Sequence, residues 1–244
     1  MHLDMCFPRE LEQAKENRTP VVIVGGTVEY HGPQCSYGCD TLIAQGLVEK
    51  LAKTRNIIIA PSISYSPASW AVGGDTSGTV HVDEVVFEEY VYNVFMSMLC
   101  AGLRNIYVVI HHQFEEGNLM PMTLSYMKAA KRATMRYLEK TMGQGWWGSE
   151  SYSDYYANLG GGDDHFSWIK VIPAMSPAAQ RETGYDHAGK YECSILMSLY
   201  PDAVKLDRLG DIYHWFTASS AEANRELGDK MVEISLRDLD RAIV

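Results

Sequence analysis

The feature that most constrains this chain is an alternation of short apolar, β-branched runs with longer segments of helical period. The runs are Val21-Val22-Ile23-Val24, Ile57-Ile58-Ile59-Ala60, Ile106-Tyr107-Val108-Val109-Ile110 and the weaker Ile169-Lys170-Val171-Ile172. They stop at Gly25-Gly26, at Pro61, at His111-His112 and at Pro173. Strands buried on both faces read this way, because helices cover a parallel sheet above and below. Between the runs, helical spacing marks 41–53, 83–100, 119–140 and 222–242. Leu42, Ile43, Leu47, Val48 and Leu51 line one face of the first of these, and Val86, Tyr90, Val94, Phe95 and Met98 one face of the second. The pattern predicts an α/β fold, a three-layer α/β/α sandwich on a mainly parallel central sheet. A chain of 244 residues can build this as a single domain over 1–244, with one core and no disulfides.

Charge and cysteine usage narrow the class of partner. Lys plus Arg number 21 against 31 Asp plus Glu, a net charge of −10. Nucleic acid and anionic membrane both need a cationic face, so neither is expected as a partner. Five cysteines, Cys6, Cys35, Cys39, Cys100 and Cys193, form no paired framework and read as reduced thiols. The opening MHLDMCFPRELEQ lacks an apolar stretch of signal-peptide type, and no run approaches the ~18 apolar residues of a membrane span. A cytoplasmic location is the expectation.

Ligands of an open parallel sheet bind beyond the carboxyl ends of its strands, and polar clusters follow these ends here. After the first run come Glu29 and His31, then Asp40; after the third come His111-His112-Gln113-Phe114-Glu115-Glu116; late in the chain stand Asp186-His187 and Glu192. In extended backbone, residues i and i+2 face the same side, so Glu29 and His31 can meet one divalent cation. Asp40 opens the next helix, where it can act as an N-cap or share its two oxygens between cations. Neighbours in a strand face opposite ways, so one of His111 and His112 is expected at the cation and the other behind it. Gly25-Gly26-Thr27 lacks the G-x-G-x-x-G spacing of a dinucleotide site. The aromatic, Gly- and Ser-rich stretch 143–164 has no period and reads as a lid or an interface insertion. Trp70, Trp146, Trp147 and Trp168 are candidates for walling the pocket.

These motifs resemble those of the creatininase (creatinine amidohydrolase) family. Gly26-Thr27-Val28-Glu29-Tyr30-His31-Gly32-Pro33 followed by Gly38-Cys39-Asp40-Thr41 is similar to that family's G-[ST]-x-E-x-H-G-P … G-x-D-[TS] opening. Thr76-Ser77-Gly78-Thr79 is similar to its x-P-G-T element, with Ser for Pro, and the segment from His187 to Ser194 to its H-A-G-x-x-E-T-S, with Cys193 for Thr. The usual N-G-H-G-G-N is replaced by Ile110-His111-His112-Gln113, and Phe114 stands where some relatives carry a metal-binding Glu.

The resemblance implies a creatininase-like fold and a hydrolase using two divalent cations, zinc or manganese with iron as a lesser option. Glu29, His31, Asp40, His112 and Glu192 would be the ligands, with Glu116 or Glu115 in reserve for Glu192. It pairs Glu29 with the second Glu on one ion and His31 with His112 on the other, bridged by Asp40. His187 is implied as the proton donor to the leaving group. Ser77, Gly78, Thr79, His111, Gln113 and Glu116 would contact a small cyclic substrate opened by a hydroxide shared between the ions. The polar surroundings favour a polyhydroxylated cyclic ketone of the 3-dehydro-scyllo-inosose type. Creatinine or another cyclic amide is the alternative, and an inactive homologue serving as a binding subunit a further one. A homo-oligomer, up to a hexamer, is also implied.

Overall fold

A computed structural model describes residues 1–158 and 164–244. Four parallel strands, β1 (Val21–Gly25), β2 (Ile58–Ile63), β3 (Ile106–Ile110) and β4 (Ile169–Pro173), form a sheet in the order β2-β1-β3-β4. Among the described residues seven α-helices accompany them: α1 (Pro8–Glu16), α2 (Cys39–Leu51), α3 (Glu84–Cys100), α4 (Pro121–Met142), α5 (Pro177–Thr183), α6 (Lys190–Leu199) and α7 (Arg225–Ala242). The sheet splits the core in two. Val21, Ile23, Ile106, Val108 and Ile110 pack under α3 and α4. Val22, Val24, Tyr107 and Val109 pack under α2, α6 and α7. The expected three-layer sandwich is therefore present. Among the described residues no helix is long and apolar enough to cross a membrane.

Three local expectations shift. β2 does not stop at Pro61 but runs through it to Ile63, with an irregularity against Ile23 and Gly25. β2 is an edge strand, where a missing N–H costs no ladder bond. In α3 the core takes Phe87, Val91, Phe95, Met98 and Leu99, while Val86 and Tyr90 are exposed. That helix is apolar nearly all round, so its own pattern cannot select a face; the sheet and α4 do. α1, α5 and α6 arise where no period was evident; α1 buries just Ala14.

The described part of 143–164 packs at the amino ends of the strands. Trp146 and Trp168 are buried in the α3–α4 core, Trp168 stacks under the Arg104 guanidinium at 4.6 Å, and Trp147 contacts Tyr155 and Tyr156. Arg104 and Trp168 precede β3 and β4, so this segment does not cover the carboxyl ends of its own chain's strands. Residues 159–163 of the expected insertion lie outside the described residues. Trp70, half exposed, packs edge-on against His81. None of the four tryptophans walls the cavity described next.

Candidate metal centre

The connection from β1 runs to β2 on one side, and the chain then crosses back to place β3 on the other. This reversal opens a crevice beyond the carboxyl ends of β1 and β3. Gly26 lets α2 approach it: a Cβ there would lie 2.6 Å from the Thr41 Cα. Close packing of α2 brings Asp40, in its first turn, under the crevice. Gly38 holds the N-cap position, so the N-cap expected of Asp40 is not observed. The Asp40 carboxylate faces the imidazoles instead.

Asp40 Oδ1 lies 3.5 Å from His31 Nε2, and Oδ2 lies 3.3 Å from His112 Nδ1. Glu29 Oε2 is 3.4 Å from His112 Nδ1, and Glu192 Oε2 is 3.5 Å from His31 Nε2. The ligand atoms therefore sort into Glu29 with His112 on one side of Asp40, and His31 with Glu192 on the other. This differs from the pairing that the resemblance implied, because the β1 loop turns Glu29 toward β3 and His31 toward α6. His31 Nδ1 is 3.0 Å from the Glu29 carbonyl, which fixes the ring and aims Nε2 inward. Glu192 is aimed from behind: Asp186 accepts the Tyr191 and Glu192 N–H groups and seats α6, while the Ala188 N–H donates to Glu192 Oε2 at 2.6 Å.

Burial makes this arrangement costly without a compensating charge. Glu29, His31, Asp40, His112 and Glu192 are each less than a tenth exposed. Glu29 Oε2, His31 Nε2 and Asp40 Oδ2 are buried without any hydrogen-bond partner. Buried polar atoms are seldom left so, and orphaned O and N atoms converging on two points fit a pair of divalent cations. Groups of Glu29, Asp40 and His112, and of Asp40, His111 and Glu192, have donor atoms within 4.8 Å of one another.

Electrostatics agree. Burial alone would raise the Asp40 carboxyl, but His31 and His112 outweigh it and hold Asp40 well below its ordinary range. Glu192, likewise opposed by burial, is brought down to about 2 by His31 and His111. Burial dominates at Glu29, which rises to about 7. Burial also works against charge on His31, yet Asp40 and Glu192 raise it well above 6.5. Without cations, protons on the imidazoles stand in for them.

His187 lies at the edge, its ring 4.4 Å from that of His31 and its Nε2 3.3 Å from the Tyr30 carbonyl. Burial and the neighbouring His31 lower it below 6.5. A cavity of about 200 Å³ opens here between Asp40, His111, His112, Tyr185, His187 and Glu192, with Glu115 and Asp186 also lining it.

The remaining expected residues do other work. Gln113 Oε1 accepts the Met122 N–H and its carbonyl the Thr123 hydroxyl, so Gln113 caps α4. Glu116 is exposed, 4.0 Å from Arg181, and lies outside the cavity. Thr79 Oγ1 accepts the Tyr30 N–H, Ser77 binds Gly74, and Gly78 is covered by Tyr37. These three brace the Glu29–His31 loop from behind. Tyr185 was missed, and nothing in its surroundings in sequence distinguishes it. Asp186 was visible beside His187, but its seating of α6 was not.

The profile of the creatininase family, described as creatinine amidohydrolase, matches residues 6–238. The chain belongs to the creatininase family. Its members are metal-dependent amidohydrolases, and the chain is accordingly a hydrolase. A creatinine amidohydrolase of Pseudomonas putida is 22% identical, over 89% of this chain and 86% of its own length. The fold is similar to a solved creatininase designated Mn (TM-score 0.73, 18% identity, 99% of this chain and 96% of the other). It is also similar to a glutamate-to-glutamine creatininase variant of Zn–Zn type (TM-score 0.72, 19% identity, 99% and 96%).

Proposed function

We propose that this creatininase-family chain opens a small ring by hydrolysing an amide or amidine C–N bond, with two divalent cations, zinc or manganese, held by Glu29, His31, Asp40, His112 and Glu192. The observation that carries this reading is the division of the Asp40 oxygens, one toward His31 and one toward His112. Such a cation pair, when bound, polarises a carbonyl and brings the ionisation of water close to neutral pH.

The protein's own groups supply the rest. His187, lowered below 6.5, is neutral at pH 7 and starts as a proton acceptor. The proton it takes from the attacking water can then pass to the departing ring nitrogen, the donor role expected of it. The Tyr30 carbonyl beside His187 Nε2 orients the ring. A cavity of about 200 Å³ admits a ring of few atoms. The polyhydroxylated ketone loses the support that favoured it, since Gln113 and Ser77 are engaged within the chain. Free thiols at all five cysteines support a reducing compartment. Exposed Tyr213 and Trp215 support self-association, which sedimentation would measure.

The test is a screen of creatinine, other cyclic amides and keto-inositols with metal-analysed protein, read by mass spectrometry. Ring-opened product from a cyclic amide, lost on chelation and restored by zinc or manganese, is expected. Two bound cations with no turnover of any compound would indicate a binding subunit, and product from keto-inositols alone would overturn the amide assignment.

A further inference from the structure

We propose that His111 is itself a ligand of the second cation, joining His31, Glu192 and the shared Asp40; this rests on the two-cation reading above. Side chains of neighbouring strand residues diverge, which is why only one of His111 and His112 was expected in the site. But β3 ends at Ile110, and the chain turns at Gln113 through a left-handed conformation (φ 55°). Both imidazoles consequently line the cavity. They serve different sides of it. His112 Nδ1 faces Glu29 and Asp40, whereas His111 Nε2 lies 3.1 Å from Glu192 Oε1.

Two donors on one cation, each bonded at about 2.0–2.2 Å in tetrahedral geometry, stand roughly 3.3–3.6 Å apart. Glu192 faces His31 through Oε2 at 3.5 Å, within that spacing, and His111 through Oε1 at 3.1 Å, so a cation taking both carboxylate oxygens would have an imidazole beside each. The donor atoms of Asp40, His111 and Glu192 lie within 4.8 Å of one another. Two other candidates lie away from this position. Phe114 packs on the α3–α4 core, and Glu116 faces solvent beside Arg181. Cys39 Sγ also lies within 4.8 Å of the His31 and Glu192 donor atoms, and Cys39→Ser should leave the second ion in place. The second position is then nitrogen-rich, with two imidazoles, which favours zinc over manganese there.

Zinc titration of purified, chelator-stripped protein, with content read by mass spectrometry, tests the assignment. Two ions per chain are expected for the native protein. His111→Gln and His111→Ala should keep the first ion and weaken the second more than ~100-fold, beyond the 10–100-fold typical of a residue acting through another ligand. Retention of the first ion shows that the variant has folded. Cobalt loaded at the second position should lose visible absorption intensity in both variants, and added imidazole should restore it in His111→Ala. Unchanged second-ion affinity and cobalt spectrum would overturn the proposal, as would weakening within the 10–100-fold range that imidazole does not restore. Fewer than two ions in the native protein would instead overturn the two-cation reading.

Discussion

At the scale of single residues, Asp40 and His187 carry separable functions. Asp40→Asn removes one of the two carboxylate oxygens that face opposite sides of the site. Both ions should weaken and turnover fall by ~10³-fold or more, about 4 kcal/mol of transition-state stabilisation. Metal analysis beside steady-state rates checks this. His187→Gln should keep both ions yet lose ~10²–10⁴-fold in kcat, the usual scale of a positioned proton carrier. His187 has its pKa lowered, so it is neutral and competent above that value, and protonation disables it as an acceptor. The acid limb of the rate profile should therefore fall below pH 6.5 and vanish in the variant. His31 behaves oppositely: raised well above 6.5, it is protonated at neutral pH in the cation-free protein. Cation binding must expel that proton, so affinity should rise with pH, by about tenfold per unit for each proton released. Proton release measured by calorimetry in two buffers checks the sign.

At the scale of elements, the site depends on how closely α2 and α6 approach the sheet and one another. Gly26→Ala would drive a Cβ into the Thr41 backbone at 2.6 Å, so α2 must retreat. A cost of about 1–3 kcal/mol is expected by denaturant unfolding, together with weaker cation binding through displaced Asp40. A change in stability with cation affinity intact would show that α2 yields without moving its first turn. The β runs were legible because burial on both faces leaves an unbroken apolar signature. α1 was not, since it is charged on most sides and touches the core through Ala14. Nor was α6, whose first turn is chosen by Asp186 capping across a loop.

At the scale of the whole molecule, β1, β3, α2 and α6 converge on one buried cluster of carboxylates and imidazoles, so cations that neutralise it should stabilise the entire fold. At a free concentration one hundred times the dissociation constant, one bound ion adds about 2.7 kcal/mol. For a chain of 244 residues that corresponds to a rise in Tm of roughly 5–11 °C over chelated protein, readable by calorimetry. An unchanged Tm would mean that the cations bind folded and unfolded chains alike. Sequence alone determined the layered architecture and the strand positions, which follow from hydrophobic period, a local property of the chain. The set of Glu29, His31, Asp40, His112 and Glu192 was what the resemblance to the creatininase family implied. Only the tertiary structure decided which side of Asp40 each of these side chains faces, that His111 shares the cavity, that Gln113 and Glu116 do not contribute to it, and that the described part of 143–164 packs at the far end of the sheet. Those depend on the direction in which side chains leave loops, and that direction is set by contacts between residues far apart in sequence.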